Sequence, residues 1–95
     1  MSLEKTLAVL RKLKPLLKER FGIIKLGVFG SVARNEAEKD SDVDIVVEMP
    51  PDLYAMVHAK EQLEEALHTP VDLVRYKSRM NALLKERIER EAIYV

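Results

Sequence analysis

Three short apolar runs constrain what this chain can fold into more than any other feature. Residues 23–29, 43–47 and 71–74 are rich in branched side chains and too short for buried helices, so each reads as a strand. Around them the apolar residues repeat every three or four positions instead. Leu3, Leu7, Leu10, Leu13 and Leu17, with Val9 and Leu16, predict an amphipathic helix from residue 2 to about residue 20, with Ser2 able to cap it. Pro15 deletes a backbone donor and disfavours helix at Lys14, so a kink or a second short helix is expected there. Gly30-Ser31 stops the first strand, residues 32–36 suggest a brief helical turn, and a polar loop follows to Ser41. Pro50-Pro51 ends the second strand, and Asp52 can cap a helix over residues 53–67. Thr69-Pro70 precedes the third strand, and Ser78 is the expected cap of a last helix running through about Glu91.

The order α-β-α-β-α-β-α predicts an α/β (α+β) fold, with helices packed on a small mixed sheet of about three strands. At 95 residues the chain is read as one domain, 1–95, with one modest core and no room for a separate substrate-reading domain. Hydrophobic residues make up 47% and charged residues 34%, a globular profile. The absence of cysteine excludes disulfides and thiolate metal sites and points to the cytoplasm. No apolar run approaches membrane-spanning length, and the N-terminus lacks a signal-peptide core. Formal net charge is zero and aromatics are few, so independent nucleic-acid binding is not expected. That average conceals a basic stretch from Lys5 to Lys25 and an acidic one from Glu36 to Asp52.

The acidic stretch contains Asp42-Val43-Asp44, and Asp72 sits in the later strand. Residues i and i+2 of a strand share a face, about 7 Å apart. Two carboxylates at roughly 6 Å repel by about 3 kcal/mol at an effective dielectric near 20. A cation would offset that cost, either a lysine or a divalent ion. If the second and third strands are neighbours, Asp72 can join Asp42 and Asp44 on one face. Three such carboxylates can bind two hard cations, Mg²⁺ or alternatively Mn²⁺, which bridge nucleotide phosphates. Gly30-Ser31, between a strand and a helical turn, suits phosphate binding: glycine permits close approach and Ser31 can donate a hydrogen bond. Arg34, one turn on, could add positive charge to the same phosphates.

Each part alone has a plainer explanation. Gly-Ser after a strand is ordinarily a turn, and an isolated Asp-x-Asp is ordinarily surface. Met49, Met56 and Met80 read as packing, and Tyr54, Tyr76 and Tyr94 as boundary residues. His58 and His68 lie on or beside a helix with no chemical role indicated, and the run Lys85, Glu86, Arg87, Glu89, Arg90 reads as a solvated face. The combination of strand-Gly-Ser-turn, Asp-x-Asp and a third strand aspartate is what carries chemistry.

From Leu26 to Arg34 and from Ser41 to Val47, the chain resembles the DNA polymerase β-type nucleotidyltransferase superfamily, and within it the small MNT-domain proteins of prokaryotes. Pro70 to Val74 matches that family's third-carboxylate strand, and Ile88 to Tyr94 resembles the way such proteins end; Asn35 stands where they often carry glycine. The resemblance implies the nucleotidyltransferase fold and transfer of a nucleoside monophosphate, AMP from ATP or another NTP, to a hydroxyl of a partner protein. It also implies that Asp42 and Asp44 bind both metals, that Asp72 binds the one nearest the acceptor, and that Gly30 and Ser31 hold the triphosphate. Small members pair with a HEPN-type partner as the antitoxin of a toxin–antitoxin system. A non-catalytic module that neutralises its partner by contact is the alternative. Its candidate surfaces are the basic first helix, Arg75-Tyr76-Lys77 and the last helix. A homodimer is also expected if helices cover only one sheet face.

Overall fold

The computed structural model describes residues 2–38 and 40–95. The elements in chain order are α1 (Leu3–Phe21), β1 (Lys25–Phe29), α2 (Gly30–Ala33), β2 (Val43–Glu48), α3 (Leu53–Leu67), β3 (Val71–Arg75), α4 (Ala82–Glu91) and β4 (Ile93–Tyr94). The strands form one mixed sheet in the order β3-β2-β1-β4. β1 runs antiparallel to β2 and β4, and β2 runs parallel to β3. The mixed sheet is as expected, with four strands rather than three.

The fourth strand is only two residues long, too short for any alternation to show. It is held by pairing rather than by pattern: Gly27 lies opposite Tyr94 and Val28 opposite Ile93. Val95 extends the attachment, its N–H donating to the Leu26 carbonyl at 2.9 Å while its own carbonyl accepts from Lys14 Nζ at 2.6 Å. Gly27 is required here, because a Cβ would fall 2.8 Å from Tyr94 Cδ1 and 2.9 Å from the Ile93 carbonyl.

α1 passes through Pro15 as one continuous helix, so the second short helix offered as an alternative to a kink does not form. Pro15 lies on the exposed side of the helix, while Leu10 and Leu17 are fully buried on the other. The apolar face decides the outcome against a proline penalty of about 3 kcal/mol. Ser2 caps the helix by accepting from the Lys5 N–H at 3.2 Å, and Gly22 closes it in the left-handed conformation at φ 71°. Asp52 caps α3 through the Ala55 N–H as expected. α4 starts later than expected: Asn81, not Ser78, accepts from the N–H groups of Leu83 and Leu84. α2 starts earlier, at Gly30, and ends in a turn where Asn35 takes φ 59°. Asparagine tolerates that left-handed conformation better than most residues, which fits its place at a position where glycine is common.

Strand alternation divides the core between the two sheet faces. On one face Leu26, Val28, Val43, Ile45 and Val47 are buried with Leu10 and Leu17 of α1 and Ala59, Leu63 and Leu67 of α3. On the other, Phe29 and Val46 pack with Ile88 of α4. Helices therefore cover parts of both faces, and the open face on which a homodimer was expected is partly occupied by α4. Among the described residues no helix is long and apolar enough to cross a membrane.

Candidate active site

The sheet registry brings two of the three aspartates together. β2 and β3 are parallel neighbours with Asp44 directly opposite Asp72, and Phe29, the last residue of β1, lies opposite Asp44 on its other side. Opposed residues share a face, so both carboxylates project to the α4 side, at the edge where β1 ends and β2 and β3 begin. Asp42 precedes β2 by one residue and is exposed. The strand entrances are pinned locally. The Val43 N–H donates to the Pro70 carbonyl at 3.0 Å, and the Val71 N–H to Glu64 Oε2 at 2.9 Å.

Gly30 stands over Asp44. Its φ is +74°, and a Cβ at this position would overlap Asp44 Oδ2. Glycine is needed here both for backbone conformation and for space. The backbone thus turns into α2 in contact with the carboxylate, with Ser31, partly buried, as the next residue.

Burial pushes the Asp44 carboxyl above its ordinary value; Asp72 and, less strongly, Asp42 add to the rise, while Arg87 and Arg34 oppose it. The site therefore carries negative charge that its protein neighbours only partly compensate. Among the described residues, no three acidic or imidazole groups are gathered closely enough to hold a metal ion as they stand. The donors present are hard carboxylate oxygens, which suit Mg²⁺ or Mn²⁺ and not a thiolate- or imidazole-preferring metal.

Arg34 lies beside the site but is engaged by two carboxylates. Its Nε is 3.2 Å from Glu36 Oε2 and its Nη1 is 3.0 Å from Glu91 Oε1. Glu91 also accepts from the Gly30 N–H at 3.2 Å, and its side chain is only 10% exposed. Burial alone would raise the Glu91 carboxyl; Arg34, the Gly30 N–H and Arg87 outweigh it and hold the carboxyl below the ordinary range. Arg87, one turn earlier on α4, reaches to 3.9 Å from the same Glu91 oxygen and lies 5.8 Å over the Phe29 ring. Glu91 and Arg87 belong to a stretch whose charges read as solvated or merely terminal. Their i,i+4 spacing was visible in the sequence, but the packing of Ile88 against Phe29 is what turns that face toward the aspartates.

The aspartate pair, the glycine turn against it and the arginines beyond are gathered at one end of the sheet. Comparison with known proteins gives the family. A model of the nucleotidyltransferase domain matches residues 10–95. Protein adenylyltransferase MntA of Thermococcus cleftensis is 41% identical over 97 aligned positions, spanning 100% of this chain and 97% of the relative. A solved structure provisionally assigned as a minimal nucleotidyltransferase superposes with a TM-score of 0.81 at 35% identity, covering 98% of this chain and 95% of that one. A crystal structure of a toxin–antitoxin with AMP-PNP gives a TM-score of 0.73 at 25% identity, over 88% of this chain and 69% of that one. With a domain match over most of its length and a relative aligned end to end, this chain belongs to the nucleotidyltransferase domain family.

Proposed function

We propose that this protein transfers AMP from ATP to a hydroxyl of a partner protein and acts as the antitoxin of a toxin–antitoxin pair with a HEPN-type partner. The observation that carries the reading is Asp44 facing Asp72 across β2 and β3, with Gly30 turned against Asp44. The similarity to a protein adenylyltransferase, and to a toxin–antitoxin crystallised with AMP-PNP, supports AMP as the group moved and a protein as the acceptor.

In this reading Asp42 and Asp44 would hold two Mg²⁺ ions, with Asp72 contributing to the one on the acceptor side; Asp42 is the exposed member of the three, one residue before β2. When bound, the ions lower the pKa of the attacking hydroxyl and steady the departing pyrophosphate. The acceptor oxygen bonds to the α-phosphorus as the bond to the pyrophosphate oxygen breaks, pyrophosphate leaves, and the hydroxyl proton passes to solvent water. The Ser31 hydroxyl donates to a β- or γ-phosphate oxygen, and the missing side chain at Gly30 lets the triphosphate lie against the backbone. Arg34 supplies charge to the phosphates in so far as Glu36 and Glu91 release it.

Transfer from α-labelled ATP with Mg²⁺ to the candidate partner tests this directly. Label should appear on the partner, fail to appear from γ-labelled ATP, and vanish with Asp42→Asn. Transfer that survives in Asp42→Asn would refute the site. One observation favours neutralisation by contact as a second reading. Leu53, Tyr54 and Val57 are exposed on α3, beside a hollow lined in part by Met56, Arg75 and Lys77. An Asp44→Asn protein that transfers nothing yet still neutralises its partner would select that reading.

A further inference from the structure

The two arginines that act on Asp44, Arg34 and Arg87, are not equally available. Arg34 closes two ion pairs, at 3.2 and 3.0 Å, and Arg90, further along α4, also closes two, with Glu86 at 3.1 Å and Glu91 at 3.7 Å. The carboxylate nearest Arg87 among the described residues is Glu91, at 3.9 Å, and that oxygen already serves Arg34 and the Gly30 N–H. Its side chain is 44% exposed, so solvent and ligands reach it. Its guanidinium lies over the Phe29 ring, and Phe29 is the registry partner of Asp44. A planar cation is thus stationed on a rigid aromatic face, next to the aspartates and one carboxylate away from the Gly30 turn. Burial of Ile88, the next residue, fixes the rotation of α4 that puts it there.

We propose that Arg87 is a binding residue for the pyrophosphate portion of a nucleoside triphosphate, the cation that α4 adds to a site otherwise built from β1, α2, β2 and β3. The inference rests on the nucleotide-transfer reading above. The triphosphate brings several negative charges to a place already crowded with carboxylates, and a guanidinium meets phosphate oxygens with paired, charge-assisted hydrogen bonds. Arg34 must first leave its carboxylates to do this; Arg87 gives up only one long contact. Glu91 then acts as a positioning residue that ties α4 to the Gly30 backbone and keeps Arg87 beside it.

Calorimetric titration of the full chain with ATP and with AMP, both with Mg²⁺, tests the assignment. Arg87→Gln removes the charge and the guanidinium over Phe29, and Arg87→Lys keeps the charge without the fork. Losing a charged hydrogen bond should weaken ATP binding about ten- to a hundredfold in Arg87→Gln, with AMP affinity unchanged and Arg87→Lys intermediate. ATP affinity unaltered in Arg87→Gln, or ATP and AMP affinity falling together, overturns the inference alone and leaves Arg87 a structural neighbour of Asp44. Failure of the unaltered chain to bind ATP overturns the inference together with the reading it rests on.

Discussion

Asp44→Asn should stabilise the metal-free protein while abolishing transfer. Asp44 and Asp72 are registry partners on parallel strands, which lie about 4.8 Å apart. Two carboxylates at about 5 Å repel by about 3 kcal/mol at an effective dielectric near 20. Asp72 is exposed and Asp44 only partly buried, so solvent screens much of this, and Arg87 and Arg34 oppose more. A net gain of about 1 kcal/mol is expected, or roughly 4–8 °C in Tm for a domain of this size. The pH dependence follows from the sign of the shift. The folded-state Asp44 carboxyl is raised, so its contribution favours the fold below the unfolded value and is lost as pH rises through the folded one. Asparagine does not titrate. The variant's advantage should therefore be absent near pH 3 and fully open at pH 7. Urea denaturation at several pH values in EDTA measures it. Adding Mg²⁺ at ten times its dissociation constant should return about 1.4 kcal/mol to the unaltered protein and little to the variant. An Asp44→Asn protein no more stable than the parent at pH 7 in EDTA would show that the carboxylates are already compensated. The physical motive for a cation at this site would then be gone.

Other expectations follow from the same geometry. Gly30→Ala should lose at least about 2 kcal/mol of stability, since alanine is strained at φ +74° and its Cβ would overlap Asp44 Oδ2; a Tm within a degree or two of the parent would contradict this. Glu91→Gln should destabilise the fold at neutral pH and much less in acid, because a depressed carboxyl contributes above its unfolded value and loses that contribution as pH falls through its folded one; parallel stability-versus-pH curves for parent and variant would count against the Arg34 and Gly30 contacts. Leu10→Ala should cost about 2–5 kcal/mol as a core truncation under α1, read from the denaturation midpoint. Removal of residues 93–95 should expose the β1 edge and lower Tm, whereas an unchanged Tm would mean that β4 is not part of the cooperative fold.

Much of this protein could be read from residue order alone. The three-to-four-residue repeat marked α1, α3 and α4, and short apolar runs marked three of the strands, because the helices bury one face and the central strands bury both. Gly30, Ser31, Asp42, Asp44 and Asp72 stood out because charge inside an apolar strand, or glycine at its end, is costly without a purpose. Pro15 does not divide the helix, because the proline penalty is local whereas the leucine face acts through the whole length of α1. β4 was hidden because its two residues are stabilised by partners more than sixty positions earlier in the chain.

The placing of Asp44 opposite Asp72, rather than one residue out of step on the other face, is a matter of strand registry, and registry depends on which strands are neighbours. The roles of Glu91 and Arg87 likewise came only with the tertiary structure. In sequence they are two charges on a charged helix. The burial of Ile88 against Phe29 and Val46 rotates that helix, and the rotation sets Glu91 against the Gly30 backbone and Arg87 beside Asp44. Local chemistry names the groups that can do the work; the packing of a distant helix decides which of them reach the site.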